Sequence, residues 1–200
     1  MAARDWYLRA YGPADREKLK NFTCYTPGQR WTKTPQKMLR QCPDAIEDRE
    51  QDVTVFLACQ IRWDWARLRP RETGRILGAI AFGLDGEELV SQTLGVVLDR
   101  RQEGIGTALK RAALAAMIAD GHEARVYSHV HKRNVAMNGL NAKLGSEFIK
   151  DPDDGDLLIH GVLAVPDPKP STPPWHAPAE LMARFARATV PGPWRPPIQE

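Results

Sequence analysis

The chain has 200 residues, 42% hydrophobic and 26% charged, which is typical of one ordinary domain that needs no disulfide or metal to fold. Its 28 basic and 25 acidic residues give a net charge of +3, a weaker basic bias than nucleic-acid-binding domains usually carry. Three widely spaced cysteines without a C-x-x-C pair exclude a zinc finger and a disulfide framework, and we expect no metal site. No apolar run approaches the ~18 residues of a membrane span and no signal peptide is recognisable, so we expect a cytoplasmic protein without a membrane partner.

Prolines and β-branched residues mark the predicted elements of the first half. Pro13 suits the first turn of a helix, where its missing N–H is not needed. Pro35 likewise begins a second helix, and the β-branched run that starts at Val53 predicts a buried strand. The predicted elements are a strand at residues 6–11, helices at 14–22 and 36–46, and a strand at 53–59, followed at 62–73 by either a hairpin loop or a strand extension.

The second half contains the clearest helix of the chain, at residues 104–119. Its apolar residues form one stripe, and Asp120 and Gly121 end it. Asn134 caps a shorter helix that closes at Gly145. Strands are predicted at 75–82, 89–98, 125–130, 147–149 and 157–163, with turns at 85–86 and 153–155, and the stripe consists of Ile105, Leu109, Ala112, Ala113, Ala116 and Met117.

The composition changes at residue 166, where a proline-rich stretch begins that fits neither sheet nor helix. Within it, residues 178–190 could form one short amphipathic helix. We therefore divide the chain into a folded domain at 1–165 and a proline-rich C-terminal extension at 166–200. The order of strands and helices in the domain predicts an α/β (α+β) fold around a mixed sheet.

A loop with two glycines joins the predicted strand 89–98 directly to helix 104–119. The first amides of a helix lack internal partners and carry partial positive charge. Glycine lets an anion approach the backbone closely, so this glycine turn (residues 101–107) is a candidate phosphate site. Arg100, Arg101 and Lys110 lie near enough in sequence to add positive charge.

The glycine pattern is not specific by itself. Gly104-x-Gly106 is equally typical of an ordinary strand-to-helix turn. The sequence lacks G-x-x-x-x-G-K-[S/T], and it lacks the third glycine and the trailing acidic residue of a dinucleotide fingerprint. Those two phosphate sites are therefore excluded.

Two motifs resemble those of the GNAT superfamily of N-acetyltransferases. Arg101-x-x-Gly104-x-Gly106 is similar to the family's R/Q-x-x-G-x-G/A motif, and residues 94–99 resemble its fourth strand. Downstream, Asn134-x-x-Met137-x-x-Leu140-x-x-Lys143-Leu144-Gly145 resembles the family's second CoA-contacting segment, N-x-x-A-x-x-L-Y-x-K-L-G-F. The resemblance covers residues 75–150 by motif and 5–60 by element order. It implies a mixed, mostly antiparallel central sheet flanked by helices, and transfer of an acetyl group from acetyl-CoA to a primary amine.

The resemblance also implies which residues hold acetyl-CoA, the acyl donor. In the family, the backbone amides of the turn hold the pyrophosphate, and the fourth strand splays from the fifth so that its backbone pairs with pantetheine. Asn134 matches a residue that commonly contacts pantetheine, a role compatible with capping its helix. The implied cofactor residues are Val96, Val97 and Leu98 on the strand, Arg101, Gln102, Glu103, Gly104, Ile105, Gly106 and Thr107 in the turn, and Asn134.

The chemistry asks for an oxyanion donor and a proton donor. A backbone amide near Val97 is expected to stabilise the oxyanion of the tetrahedral intermediate. The family often has a tyrosine acid where this chain has Asn141, and an amide is not a useful proton donor. Tyr127, Ser128 and His129 on the neighbouring strand are candidate replacements, although alternation lets only one of Tyr127 and Ser128 face the cleft.

A base is needed if the amine arrives protonated. Glu87, Glu88 and Ser91 lie at or before the start of the fourth strand of the family pattern, whereas His129 and His131 end the next strand, nearer the expected thioester. Each candidate is also compatible with an ordinary surface or packing role. The catalytic residues that we predict are Ser128, His129 and Glu88.

Acceptor recognition in the family falls to the first two helices, their connection and the last hairpin, which here implicates residues 25–34. A second aromatic and basic patch follows at residues 62–69. Such patches can stack with and bind nucleotides, but a tryptophan packed at a sheet edge beside solvated arginines fits it as well. The residues concerned are Gln29, Arg30 and Trp31 in the connection and Arg62, Trp63, Trp65, Arg67 and Arg69 in the patch.

Three functions remain open at this stage. The leading one is acetyl transfer to an amine of a small molecule, a peptide or an aminoacyl group. Asn141 favours a second, a catalytically inactive protein of the same fold that binds CoA or a partner. The patch at 62–69 favours a third function, that of an RNA-directed enzyme that acetylates charged tRNA. The modest net charge of the chain argues against this third function. The expected partners are acetyl-CoA and an amine acceptor, and a homodimer is left open because the extension could cover the sheet of a second copy.

Overall fold

A computed structural model of the chain describes residues 5–47, 53–64, 69–85, 88–119, 125–150 and 155–163. The helices in these ranges are α1 (Arg16–Lys20), α2 (Lys33–Glu47), α3 (Ile105–Ala119) and α4 (Val135–Lys143), with 3-10 turns at Pro13–Asp15, Arg30–Thr32 and Leu98–Arg100. The strands are β1 (Trp6–Ala10), β2 (Val53–Asp64), β3 (Arg69–Asp85), β4 (Glu88–Val96), β5 (Arg125–His131), β6 (Glu147–Lys150) and β7 (Leu157–Leu163). They form one sheet in the order β1-β2-β3-β4-β5-β7-β6.

The predicted fold class is confirmed, because the sheet is mixed, mostly antiparallel and flanked by helices. Only the pair of β4 and β5 is parallel among the described strands. A parallel pair needs a crossover connection, and α3 supplies it. The two strands therefore begin side by side at one end of the sheet and run towards the same opposite end.

Small residues on β3 and β4 let helices pack closely on both faces of the sheet. A Cβ at Gly78 would lie 2.8 Å from a methyl group of Ile105 in α3, and a Cβ at Gly95 would lie 2.6 Å from Cys24 Sγ and 2.9 Å from Leu39 Cδ1. Gly95 pairs with Ala79, the neighbour of Gly78, so the two glycines face opposite sides. Consequently α3 covers one face, and α2 with the segment before it covers the other.

The apolar stripe predicted for α3 is confirmed for the side chains that the structure describes. They are packed in the main core with residues of β2, β3 and the end of β4. Because these side chains are aliphatic, none of them buries a polar group in the core. The buried members of the stripe are Ile105, Leu109, Ala112, Ala113 and Ala116.

Residues 62–64 and 69–73 extend the two strands. The ladder between β2 and β3 continues through Arg62, opposite Arg71, to Asp64, opposite Arg69. Cross-strand pairing outweighs the charged composition because both faces of the extension can be solvated. Of the two alternatives for this segment, strand extension is therefore confirmed for residues 62–64 and 69–73, and residues 65–68 lie outside the described ranges.

The predicted helix at 14–22 is shorter and begins with a 3-10 turn. The buried carboxylate of Asp15 accepts from the amide of Gly12 at 3.2 Å and from the guanidinium of Arg9 at 2.6 Å. These bonds hold the start of the helix against β1, and only Arg16–Lys20 continues as α-helix. A local pattern could not reveal a helix start that depends on an arginine of the preceding strand.

Several predictions fall on residues outside the described ranges. They are the extension at 166–200 with its helix at 178–190, the turn residues Gly86, Asp153 and Asp154, and the helix end at Asp120 and Gly121. None of the helices in the described ranges is long and apolar enough to cross a membrane.

Candidate functional site

A cleft opens between β4 and β5 because the two strands pair only at their first residues. The parallel ladder joins Leu89 to Val126 and Val90 to Tyr127, and it ends there. β4 continues to pair with β3 on its other side as far as Val96. The cleft, defined here as the gap between β4 and β5 beyond these two pairs, thus has a closed end at Val90 and an open end near Val96.

The backbone of β4 directs polar groups into this cleft. The amide of Val97 donates to Leu77 O at 2.9 Å, so Val97 and Leu77 form a hydrogen-bonded pair of the antiparallel ladder. Hydrogen-bonded and non-hydrogen-bonded pairs alternate. Val96, opposite Gly78, and Leu94, opposite Ile80, therefore point their N–H and C=O groups away from β3 and towards β5.

This alternation narrows the choice of the oxyanion donor expected near Val97. The Val97 amide is already engaged with Leu77 and cannot donate into the cleft. The amides of Leu94 and Val96 have the required direction. The predicted strand also ends too late, because Leu98 belongs to a 3-10 turn in which the Arg100 amide donates to Val97 O at 3.2 Å.

The glycine turn lies at the open end of the cleft. Gln102 and Gly104 adopt positive φ angles of 69° and 82°, which reverse the chain between the 3-10 turn and α3. The Ala108 amide donates to Gly104 O at 2.9 Å, so the amides of Ile105, Gly106 and Thr107 precede the first bond of the helix ladder. The turn therefore presents a group of backbone donors at the positive end of a 15-residue helix.

Arg100 contributes less charge to this turn than its position suggests. Its guanidinium donates to Asp5 Oδ1 at 2.5 Å and to Glu103 Oε1 at 2.7 Å. These two carboxylates raise the pKa of Arg100. Because both partners are anions, the positive charge of Arg100 is locally compensated.

Arg101 keeps its charge but binds the protein as well. Its guanidinium donates to the carbonyl of Cys24 and the hydroxyl of Thr26, both at 2.7 Å, and to Val96 O at 3.3 Å. All three partners are uncharged, so the cation remains available to an anion at the turn. Arg101 also fastens the connection between α1 and α2 to the end of β4.

Gly106 serves packing between three elements. A Cβ there would lie 3.2 Å from Leu140 Cδ1 of α4, 3.5 Å from Leu94 Cδ2 and 3.6 Å from Val96 Cγ2. A Cβ would therefore make ordinary contacts with Leu94 and Val96 and would require Leu140 to move by a few tenths of an ångström. Of the two motif glycines, Gly104 is the one with a left-handed backbone in the exposed part of the turn.

Lys110 lies one turn further along α3 and points into the protein. Its ammonium donates to Asn141 Oδ1 at 2.5 Å and to Ser128 Oγ at 3.1 Å. Asn141 Nδ2 lies 3.4 Å from the same Ser128 Oγ, to which it donates. All three side chains are buried: Lys110 is 2% exposed, Ser128 6% and Asn141 0%. We call these three residues the lysine cluster.

Burial alters the acid–base behaviour of this cluster. Removal from water lowers the pKa of Lys110 to about 8. An ammonium can only donate, so the oxygen of Asn141 must face Lys110 and its NH₂ group must face Ser128. The lysine expected to add charge at the glycine turn instead places its charge between α3, β5 and α4.

The structure separates the three predicted catalytic residues. Ser128 faces α3 and α4 within the lysine cluster, whereas His129 is exposed, because successive residues of a strand alternate. Glu88 begins β4 opposite Asp85, at the far end of the strand from the glycine turn. The side chains of Glu88 and Tyr127 lie outside the described part of the chain, so their roles stay predictions.

Asn134 caps α4, as the sequence predicts. Its Oδ1 accepts from the Met137 amide at 3.3 Å, and Gly145 closes the helix with φ 77°. The contact with pantetheine implied for Asn134 by the resemblance remains a prediction.

The connection between α1 and α2 reaches the end of β5. The ring of Trp31 stacks on His131 with ring centroids 4.9 Å apart. Gln36 Oε1 holds the same connection by accepting from the amides of Cys24 and Tyr25 at 3.0 and 2.9 Å. Trp31 Nε1 is buried without a hydrogen-bond acceptor among the described residues. This part of the predicted acceptor region thus adjoins the cleft. Two members of the other predicted patch, at 62–69, lie outside the described residues, namely Trp65 and Arg67.

Sequence reasoning missed the inward direction of Lys110. A weak signal existed, because Gly106 and Ala113 lie four residues before and three residues after it, on the same side of the helix. Small residues on both sides of a lysine indicate a closely packed surface. The partners of Lys110 could not be identified this way, since they come from two other elements.

Comparisons with known proteins agree with this geometry. The model of the Acetyltransferase (GNAT) family matches residues 23–145. A search of the curated proteins gives no match.

Solved structures resemble the fold over most of the chain. PaiA N-acetyltransferase from Thermoplasma acidophilum, in complex with coenzyme A, is 14% identical, with 80% of this chain and 99% of that chain covered and a TM-score of 0.59. An acetyltransferase of the GNAT family from Staphylococcus aureus Mu50 is 15% identical, with the same coverage of 80% and 99% and a TM-score of 0.60. Ribosomal-protein-S5-alanine acetyltransferase from Vibrio fischeri is 13% identical, with 85% and 98% covered and a TM-score of 0.54. At identities this low the likeness concerns the fold alone.

Proposed function

Since the chain belongs to the acetyltransferase (GNAT) family, we propose that it transfers the acetyl group of acetyl-CoA to a primary amine. The observation that carries the proposal is the glycine turn, whose backbone donors lie at the open end of a cleft along which the backbone of Leu94 and Val96 faces away from β3. A phosphate group fits the first, and an extended amide-containing arm fits the second. The coenzyme A bound to the PaiA N-acetyltransferase of similar fold is consistent with this ligand.

The fit of CoA follows from the directions of the backbone groups. Its pyrophosphate would accept from the amides of the glycine turn, with Arg101 as a nearby cation. Its pantetheine arm would lie in the cleft and pair with the backbone of Leu94 and the amide of Val96 like an added strand, because these groups face away from β3. In this arrangement the acetyl thioester lies towards the closed end of the cleft.

The chain needs to supply little covalent chemistry for the transfer. The amine attacks the thioester carbonyl, and a backbone amide of Leu94 or Val96 donates to the oxyanion that forms. Holding the two reactants together is itself worth about 7–11 kcal/mol in well-oriented systems. Glu88 and His129 remain our candidates for the base that removes the proton of the amine.

We propose that the acceptor enters beside the connection between α1 and α2. Trp31 and His131 form an aromatic wall where this connection meets the end of β5. The buried indole N–H of Trp31 lacks an acceptor among the described residues and is available to a polar group of the substrate. The acceptor class proposed is a primary amine of a small molecule, a peptide or an aminoacyl group.

The experiment is an acetyl-transfer assay on representatives of each acceptor class. Purified protein is incubated with acetyl-CoA and polyamines, aminoglycosides, peptides with free N-termini or aminoacyl-tRNA, and the acetylated product is identified by mass spectrometry. Gly104→Asp, which places a carboxylate in the turn, should abolish product formation, whereas Gly104→Asn should retain it. The two variants share the backbone strain at Gly104, and aspartate and asparagine tolerate a positive φ similarly.

Product from one acceptor class identifies the substrate, and product from aminoacyl-tRNA alone would support the RNA-directed alternative. Binding of acetyl-CoA without acetylation of any class contradicts the proposal and supports a catalytically inactive binding protein.

A further inference from the structure

The lysine cluster lies next to the closed end of the cleft, on the side of the sheet that α3 and α4 cover. Ser128 is the first residue of β5 beyond the last pair between β4 and β5, which joins Val90 to Tyr127. Lys110 reaches it from α3, and Asn141 reaches it from α4. The cluster is thus the polar part of a floor whose other described contacts, around Gly106, are apolar.

The hydrogen bonds of Ser128 leave its own hydrogen for a further acceptor. Its oxygen accepts from the ammonium of Lys110 at 3.1 Å and from the NH₂ group of Asn141 at 3.4 Å. A hydroxyl has two acceptor positions and one donor. With both acceptor positions used, the O–H bond points away from Lys110 and Asn141, and no described residue accepts from it among the hydrogen bonds found.

The buried ammonium group of Lys110 is unusual, because lysine side chains are rarely this buried in proteins. An isolated charge in the interior is strongly disfavoured unless it is hydrogen-bonded. Here the charge is held by one amide oxygen and one hydroxyl oxygen, without a carboxylate among the partners described for it. Its lowered pKa of about 8 means that Lys110 can give up a proton near neutral pH.

On the basis of the function proposed above, we propose that Lys110 supplies, through the hydroxyl of Ser128, the proton that the CoA sulfur takes up as it leaves. The arrangement stands in for the tyrosine that the family often has at the position of Asn141. Ser128 is the residue in contact with the sulfur. Lys110 acts through Ser128, and Asn141 positions both.

The proton transfers balance within one turnover. When the tetrahedral intermediate collapses, the C–S bond breaks and its electron pair goes to sulfur. The hydroxyl of Ser128 gives its proton to that sulfur and takes one from the ammonium of Lys110, which becomes a neutral amine. The amine nitrogen of the substrate loses its proton to the base or to solvent, and Lys110 regains a proton from solvent before the next turnover.

The test measures the pKa of the thiol of bound CoA, a quantity that a purely structural cluster would not change. A protonated lysine that is separated from the sulfur by one hydroxyl stabilises the thiolate, and an opposite charge within about 4–6 Å shifts a pKa by about one to three units. CoA is titrated with base in complex with the full chain, and the ultraviolet absorbance of the thiolate is followed. The same titration with dethio-CoA, which lacks the thiol, subtracts the contribution of the protein.

Four proteins are compared: wild type, Ser128→Ala, Ser128→Thr and Lys110→Met. We expect the thiol pKa in wild type to lie about one to three units below that of free CoA. It should remain low in Ser128→Thr, which keeps the hydroxyl, and it should return towards the free value in Ser128→Ala and in Lys110→Met. If Lys110→Met does not fold, the pair of Ser128 variants decides, because these substitutions differ only slightly in size from serine.

An equal thiol pKa in wild type and Ser128→Ala, with CoA bound to both, would overturn the relay while leaving the proposed function intact. Absence of CoA binding to wild type at millimolar concentration would overturn the proposed function, and this inference with it.

Discussion

Helix α3 carries two sites of opposite character within its first turns. At its N-terminus the glycine turn presents backbone amides that precede the first hydrogen bond of the helix. The side chain of Arg100 binds two carboxylates there, and that of Arg101 binds the carbonyl of Cys24. One turn later Lys110 presents a buried side chain that depends on Ser128 from β5 and Asn141 from α4. A backbone site tolerates exchange of most side chains provided that the chain keeps its path. A buried side-chain site tolerates almost no exchange of side chains, because each of its polar groups is the hydrogen-bond partner of another.

The largest effect is expected where the buried site loses an acceptor. Asn141→Leu leaves the ammonium of Lys110 without the amide oxygen 2.5 Å away. Leaving a buried donor without its acceptor costs about 1–3 kcal/mol of unfolding free energy, and more when the donor is charged. Chemical denaturation at neutral pH, read by circular dichroism, measures it.

The double variant Lys110→Met/Asn141→Leu is the control for this prediction. It removes the charge together with its acceptor, so it should recover at least half of the loss. A double variant less stable than Asn141→Leu alone would show that Lys110 stabilises the fold by packing and not as a charge held by Asn141.

A somewhat smaller effect is expected from pH. Unfolded Lys110 keeps its proton up to pH 10.5, whereas the folded protein releases it near pH 8. Between these values the unfolded state binds more protons, so stability gained from this group rises with pH. Relative to Lys110→Met, wild type should gain about 3 kcal/mol of unfolding free energy over this window. A constant difference between the two proteins from pH 7 to pH 10.5 would contradict the buried, shifted lysine.

The smallest effect concerns the backbone site and compares two glycines. Gly104 has φ 82°, so Gly104→Ala should destabilise the protein by about 1 kcal/mol. Gly139 lies inside α4, and a Cβ there meets nothing within 4 Å. Gly139→Ala should therefore stabilise the protein by about 0.5–1 kcal/mol. Thermal unfolding of both variants tests the signs, and stabilisation by Gly104→Ala would show that the turn has no need of a positive φ at Gly104.

The same contrast explains which parts of the molecule the sequence could predict. The turn at Gly104, the stripe of α3 and the cap at Asn134 each depend on residues close together in the chain, and all three are confirmed as local structure. Which amide near Val97 faces the cleft could not be predicted, because this depends on the ladder with Leu77 of another strand.

Lys110 was misplaced for a related reason. Its acceptors lie 18 and 31 residues away on two other elements. Neither periodicity nor a motif reports a meeting of three separate elements. Ser128 was predicted as a catalytic candidate from its position alone. Lys110, which donates a hydrogen bond to Ser128, was not predicted to have a catalytic role.

Calorimetric titration of CoA and acetyl-CoA measures most directly whether the glycine turn binds the pyrophosphate of CoA, on which the proposed function depends. The proteins titrated are wild type, Gly104→Asn and Gly104→Asp. We predict saturable one-site binding to wild type, affinity for Gly104→Asn within a few-fold of it, and loss of binding to Gly104→Asp, because its carboxylate repels the phosphates. Equal affinity of all three proteins would place the ligand elsewhere, and no heat with wild type at millimolar ligand would contradict CoA binding outright.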